Sequence, residues 1–421
     1  MKKKKTSKFN SLNQIFFNEK KTGYNHKNIS GISLNYTMYA KPLSNELAGL
    51  KSSNFVINVT TEPLEVHVIL MAGGRGERFW PRSRVSRPKQ SLNIGSTQPL
   101  LVESVERLLY LIPEKNIVVS TGKHLEGSFR DILKNYTLDW IIEPAQRDTA
   151  AAIGYAITYI RSKVKSNFIA VILGSDYRIT DPSLFRIHLK KAIELANQNY
   201  IVTLGIKPNR AATGYGYIRK GDIVDNNGIS SFRAKEFKEK PDRKTAEGYL
   251  STGEYLWNSG MFICPADVMM AEIKKFVPEH YEGFERIVSQ QFDPWVTSKV
   301  FEQFQKISID YAVMEKTEHL VVLESTFDWD DLGDWLAMDR LIPHDARENA
   351  IEALWIGMDT DECIILGHEN SHKKLIATLG IEDLIIVDTD DVIFISHKDH
   401  VHKIKQFVQH IGTHKKLKEF L

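Results

Sequence analysis

Residues 71–90, MAGGRGERFWPRSRVSRPKQ, place Gly73, Gly74 and Gly76 at the end of an apolar run and then bring in Arg78, Arg82, Arg84 and Lys89. Without Cβ atoms, backbone amides at such a turn can approach an anion closely. Arg78 and Lys89 on a Pro-bounded loop would then act as fixed cations over a triphosphate, the arginine as a bidentate fork and the lysine as a point charge. A plain tight turn accounts for the glycines but not for the cations. Two familiar nucleotide motifs do not fit. A dinucleotide fingerprint needs a third glycine opening into a helix, where this chain has Phe79 and soon Pro81, and a Walker A loop needs Gly-Lys where this chain has Gly76-Glu77. A second chemical signal is Asp176, at the end of the apolar run FIAVILGSD (168–176). Taken alone it reads as a turn or cap residue or as a carboxylate for Mg²⁺, which needs only one or two carboxylates besides phosphate oxygens and water.

These residues need a scaffold, and the pattern from Glu65 onward supplies one. Short apolar runs at 66–70, 116–120, 139–144, 168–176 and 200–206 alternate with helical periods over 99–112, 124–134, 148–163 and 182–197. Four βαβ repeats with strands apolar on both faces predict a Rossmann-like α/β sheet, mixed but mainly parallel, covered on both sides and wound right-handed. Ligands of such sheets bind outside the carboxyl ends of the strands, where the glycine turn falls. After Gly205 the runs GYGYIRKG, SSFRAKEFKEKP and YLWNSGMFIC predict an insertion adding mixed strands at one edge of the sheet. From about residue 346, apolar runs spaced near ten residues predict a small all-β domain, followed by an amphipathic helix whose basic face reads as solvated. The expected division is an N-terminal extension over 1–65, whose composition reads as disordered, then a catalytic domain over 66–345 and a β domain over 346–421.

Composition narrows the function. Residues 1–60 carry ten Lys and two Glu, hence +8, and the whole chain is +2, so the remainder is 2 − 8 = −6. A mildly acidic body argues against nucleic acid. No apolar run reaches the roughly 18–20 residues a membrane span needs. The two cysteines, Cys264 and Cys363, cannot build a disulfide framework, which suits a reducing, cytoplasmic compartment.

The segment AGGRGERFWPRSRVSRPKQ resembles the signature of the sugar-1-phosphate nucleotidyltransferases, in the form carried by bacterial mannose-1-phosphate guanylyltransferases. The resemblance continues in order through EPAQRDTAAAI, GSDYRI, TGYGYI, FKEKPD, YLWNSGMF, SIDYAVMEK and WDDLGDW, spanning about residues 66–412. It implies transfer of GMP from GTP to α-D-mannose 1-phosphate with release of pyrophosphate, Mg²⁺ as cofactor, a small β-solenoid-like C-terminal domain, and a homodimer. Catalysis would rest on positioning and charge neutralisation, with Arg78, Lys89 and Asp176 as the catalytic set. The metal would be held by Asp176 and, by resemblance, Asp331. Ala72, Gly73, Gly74 and Gly76 would meet the nucleotide. Arg147 and Thr149 read either as capping residues of the helix that starts there or as neighbours of the base edge. Gly214 and Gly216 would let amides approach sugar hydroxyls, Glu239 would accept from them, Lys240 would bind the sugar phosphate and Asn258 would both donate and accept; outside this context Glu239 and Lys240 read as an exposed ion pair. Trp80, Trp257, Trp329 and Trp335 read as packing residues. The chain departs from the family at one point: the pattern Pro-Ala-Asp-His is replaced by Gly174-Ser175-Asp176-Tyr177. A sibling enzyme with another base or sugar, and a nucleotide-sugar-binding regulatory subunit, are the rival readings.

Overall fold

A computed structural model describes residues 63–74, 76–164, 166–368 and 374–421. The expected extension over 1–65 lies almost wholly outside the described residues. The elements, in order, are β1 (Glu65–Met71), α1 (Leu100–Leu109), β2 (Ile117–Gly122), α2 (Lys123–Ile132), β3 (Asp139–Glu143), α3 (Asp148–Lys163), β4 (Phe168–Gly174), the two-residue β5 (Arg178–Ile179), α4 (Pro182–Ala196) and β6 (Ile201–Ile206). Then come β7 (Tyr217–Asp225), β8 (Ser231–Lys238), α5 (Arg243–Thr252), β9 (Tyr255–Pro265), α6 (Ala266–Phe276), α7 (Pro278–Ser289), α8 (Pro294–Gln303), β10 (Leu320–Ser325), the two-residue β11 (Trp329–Asp330) and α9 (Leu336–Leu341).

Among the described residues a nine-stranded sheet runs β3-β2-β1-β4-β9-β6-β10-β8-β7. β1 pairs in parallel with both β2 and β4, β2 with β3, and β10 with β6. The sheet is mixed, as expected, but parallel pairings do not dominate it, because β9 is antiparallel to β4 and β6, and β8 to β10 and β7. The expectation of an insertion confined to one edge is half corrected. β7 and β8 do form an edge, but YLWNSGMFIC enters the middle of the sheet as β9. Its residues Tyr255–Ser259 and Met261–Pro265 are buried in an almost unbroken run, which is what an interior strand requires and which alternation-based reading takes for a buried strand of either direction. Both sheet faces are covered: Ile69, Ala170 and Ile172 pack with α3, α6 and α7, while Leu70, Val119 and Val171 pack with α1, α2 and α4.

The last part holds β12 (Ala350–Glu352), β13 (Trp355–Asp361), β14 (Ile364–Leu366), β15 (Ile376–Glu382), β16 (Leu384–Asp388), β17 (Ile393–His397) and α10 (Ile404–Thr413). β12, β14 and β16 stack in parallel, Ala350 on Ile364 on Ile385, and β13 stacks on β15. These are the rungs of a short β-helix. Ile365 and Ile386 fill its interior, while Ile364, Leu366, Ile385 and Val387 face outward onto Phe79, Trp80, Trp335 and α9. One hydrophobic cluster therefore joins the signature loop to the β-helix.

Candidate active site

The carboxyl ends of β1, β3 and β4 open into a cavity of about 880 Å³ lined by Gly73, Gly74, Gly76, Arg78, Lys89, Thr149, Asp176, Asp310 and Asp331 among others. The loop after β1 turns on Gly76, at φ 65°; a Cβ there would lie 2.3 Å from Lys89 Cβ. This close approach seats Lys89 under the turn. Gly73 has open space around it on the cavity side. Ala72 is different from the expectation: its N–H donates to Ser120 O at 2.8 Å and its carbonyl accepts from Thr121 Oγ1 at 2.8 Å, so its backbone is committed to the protein.

The cations of the loop divide. Arg78 is exposed at the cavity wall. Lys89 is buried, and its Nζ donates to Asp176 Oδ2 at 3.3 Å and to the Asp331 carbonyl at 2.8 Å. Arg82 and Arg84 point away: Arg82 donates to Gly367 O at 2.7 Å and pairs with Glu352, and Arg84 pairs with Asp391 at 2.7 Å. They fasten the signature loop to the β-helix. Trp80 assists, its Nε1 donating to Phe420 O at 2.7 Å, and Trp335 Nε1 donates to the Trp80 carbonyl. Trp80, Trp257 and Trp335 are buried, in agreement with packing roles.

The two aspartates reach the cavity from loops held together by the small β5–β11 ladder, in which Asp330 pairs with Arg178 and Trp329 with Ile179. In Trp329-Asp-Asp-Leu-Gly-Asp the three carboxylates have separate tasks. Asp330 takes the Arg340 guanidinium, Asp334 accepts from Leu336 N, and Asp331 lines the cavity. Burial holds the Asp331 carboxyl above its usual range, opposed by a hydrogen bond from Tyr215 Oη at 2.5 Å and by the Lys89 charge. Asp176 Oδ2 is taken by Lys89 and Asp331 Oδ1 by Tyr215, which leaves one oxygen of each for a cation. Among the described residues there is no cluster of three or more metal-ligating side chains. Two carboxylates with free oxygens beside a phosphate-sized space is the donor set a hydrated divalent cation accepts. The Gly174-Ser175-Asp176-Tyr177 departure is absorbed by the fold: Ser175 Oγ donates to Met71 O at 2.8 Å, and Tyr177 is buried beneath Arg107.

At the start of α3, Asp148 adopts φ 68° and its Oδ1 accepts from Thr149 N, while Thr149 Oγ1 accepts from Ile309 N at 2.8 Å. Thr149 lines the cavity. Arg147 does not; its guanidinium caps the end of α8 through the Phe301 and Glu302 carbonyls. A long side chain leaving a helix start can reach either way, and the sequence does not say which carbonyls wait behind it.

Glu239, Lys240 and Asn258 are brought together beside Asp310, although none of the three lines the cavity. Lys240 Nζ donates to Glu239 Oε1 at 2.8 Å, and Asn258 Nδ2 donates to Asp310 Oδ1 at 2.9 Å while its Oδ1 accepts from Thr203 and Gly260. Burial alone would lower the Lys240 ammonium, yet the Glu239 contact outweighs it and raises the pKa. Gly216 gives close approach to Glu239, whose Oε2 would lie 2.4 Å from a Cβ there, and Gly214 is exposed and off the cavity. Glu239 Oε2 is buried without a hydrogen-bond partner, an oxygen that calls for a donor. Asp310, which links this group to the cavity, sits in the single π turn Asp310–Met314, and burial, reinforced by Glu239, lifts its pKa to about 6. Its motif, SIDYAVMEK, belongs to the resemblance, but nothing in the sequence assigns Asp310 a role. An acidic residue inside an apolar helical run was the signal available.

The nucleotidyl transferase family model matches residues 67–348, and a MannoseP isomerase/GMP-like β-helix domain model matches 354–411. Together with the sheet and the cavity at its carboxyl edge, this establishes that the chain belongs to the nucleotidyl transferase family. Its similar relatives are more particular. Mannose-1-phosphate guanylyltransferase of Klebsiella pneumoniae is 33% identical over 348 residues, 81% of this chain and 73% of that protein. Mannose-1-phosphate guanylyltransferase 2 of Escherichia coli O157:H7 is 35% identical over 357 residues, 81% and 72%. A crystal structure from Thermus thermophilus, described as a mannose-1-phosphate geranyltransferase, aligns with a TM-score of 0.74 at 31% identity over 83% of this chain and all of that one.

Proposed function

We propose that the protein transfers GMP from GTP to α-D-mannose 1-phosphate, yielding GDP-mannose and pyrophosphate. The observation that carries this is one cavity in which the glycine turn, Lys89, Asp176 and Asp331 converge, in a chain whose relatives bear that activity by name. A phosphate oxygen of the sugar phosphate forms a bond to the α-phosphorus of GTP. The bond from that phosphorus to the bridging oxygen breaks, and the oxygen leaves with pyrophosphate. The nucleophile is already ionised near neutral pH, so no general base is needed; the protein positions two polyanions and neutralises their charge. Gly73, Gly74 and Gly76 give the phosphates access to the backbone, Arg78 provides an exposed fork and Lys89 a buried charge. Thr149 contributes to the nucleotide wall; Ala72 and Arg147 have only structural tasks in this reading. Asp176 and Asp331 would hold Mg²⁺, which when bound supplies further neutralisation of phosphate charge. Glu239, Lys240, Asn258 and Asp310 form the sugar-phosphate end.

The organisation we read is a catalytic region over 66–345 and a β-helical region over 346–421. Among the described residues no helix is long and apolar enough to cross a membrane. Both cysteines are free and buried, which supports a cytoplasmic setting. Homodimerisation is supported by an apolar outer face on the β-helix, where Ile356, Met358 and Leu379 are each more than 60% exposed and Met358 registers with Leu379. Purified protein given GTP, mannose 1-phosphate and Mg²⁺ should release pyrophosphate and form GDP-mannose; tight GDP-mannose binding without turnover would instead identify a regulatory subunit.

A further inference from the structure

The helix α10 belongs to the C-terminal part of the chain, yet Lys405 and Gln409, one turn apart on it, line the same cavity as Gly76, Arg78 and Asp176. Its other side is anchored: Ile404 and Ile411 are buried in the cluster that contains Phe79, Trp80 and Trp335, and Phe407 meets the Trp80 ring edge-on. The chain end is fixed to the signature loop as well, through Trp80 Nε1 to Phe420 O and Val85 N to Leu421 O at 3.3 Å. The basic face expected to be merely solvated is thus held against the site by its apolar face. Lys405 Nζ lies 3.8 Å from Glu77 Oε2, and both side chains keep solvent contact, at 57% and 28% exposure. Such a long, wet ion pair is weak and readily exchanged for an oxygen of a doubly charged terminal phosphate. Glu77 and Arg78 both line that cavity, so the exchange would add the lysine to the same cavity that Arg78 serves.

We infer that α10 completes the nucleotide site, with Lys405 binding the terminal phosphates of the nucleoside triphosphate and of the leaving pyrophosphate, and Gln409 donating a hydrogen bond beside it. This rests on the nucleotidyl-transfer reading above. Its consequence is a division by substrate: GTP and pyrophosphate carry the terminal phosphates that Lys405 would meet, whereas mannose 1-phosphate does not. The loss of one charge-assisted hydrogen bond corresponds to about tenfold in affinity.

The test is steady-state kinetics of the full chain, forward and reverse, for wild type, Lys405→Gln, Lys405→Arg and Gln409→Ala, with melting temperatures measured alongside. Lys405→Gln should raise KM for GTP and for pyrophosphate about tenfold, leave KM for mannose 1-phosphate within about twofold, and leave the melting temperature unchanged. Lys405→Arg should recover most of the GTP affinity, and Gln409→Ala should show the same pattern at smaller size. Unchanged GTP and pyrophosphate KM values in Lys405→Gln, or equal losses for both forward substrates, would overturn the inference. A wild-type protein that fails to turn over at all would instead sink the functional reading on which it rests.

Discussion

The two ends of the site are built on different principles. At the nucleotide end the groups are open to the cavity: bare glycine backbone, an exposed Arg78, and Lys89 and Asp176 already in contact. At the proposed sugar end the polar groups are closed on one another, Lys240 on Glu239 and Asn258 on Asp310, with Glu239 Oε2 left over. An open end is preorganised for charge that develops during transfer, whereas a closed end must exchange partners when its ligand arrives. Substitutions at Lys89 and Asp176, which would meet the reacting phosphate, should therefore act on kcat, and those at the second end on the KM of the acceptor.

The largest effect is expected at Lys89 and Asp176. Lys89→Ala and Asp176→Asn should each lower kcat by roughly 10²–10³ or more, the scale of a lost transition-state electrostatic contact; near-normal kcat in either would erase the distinction between the two ends. Glu239→Gln should come next, raising the KM for the sugar phosphate by about tenfold with a smaller change in kcat, because it replaces the acceptor oxygen and loosens Lys240. Product-formation assays with each substrate varied in turn measure both.

A smaller effect, on stability alone, is expected from Arg82→Ala. Arg82 is only 3% exposed and ties the signature loop to Gly367 and Glu352 of the β-helix. Its loss should cost about 1–3 kcal/mol of unfolding free energy, read by denaturant titration, with KM values nearly unchanged.

The smallest effect concerns pH. Burial raises Asp310 from its ordinary 3.8 to about 6, so folding favours the neutral acid. The sign follows from linkage: the folded state holds this proton more tightly than the unfolded chain, so stability falls as pH rises from about 4 through about 6. Relative to Asp310→Asn, wild type should lose melting temperature as pH rises from about 4 to about 7, with most of the loss between the unfolded value of 3.8 and the folded value of about 6; a parallel pH course for the two proteins would contradict the assignment.

How much of this was legible in the sequence differs by region for a physical reason. Strand-and-helix alternation up to β6 could be read because each period is local, and α3 begins and ends at the expected residues, 148 and 163. The place of β9 could not, since a buried run looks the same whether the strand lies at an edge or between β4 and β6. In the signature loop the residue types announced phosphate chemistry, yet Arg78 and Arg82, four residues apart, separate into cavity and fastener only through the β-helix carbonyl at Gly367. Arg147 fails for the same reason, its partners being the distant carbonyls of Phe301 and Glu302. Asp331 was singled out from three neighbouring aspartates by resemblance; the structure adds that Asp330 is taken by Arg340 and Asp334 by the turn into α9.

A matrix of nucleoside triphosphates against sugar 1-phosphates, followed by pyrophosphate release, separates guanylyl transfer to mannose 1-phosphate from every other pairing. The highest kcat/KM should fall to GTP with mannose 1-phosphate, dependent on a divalent cation. Turnover that is best with another base or sugar, or absent for every pair, would contradict it.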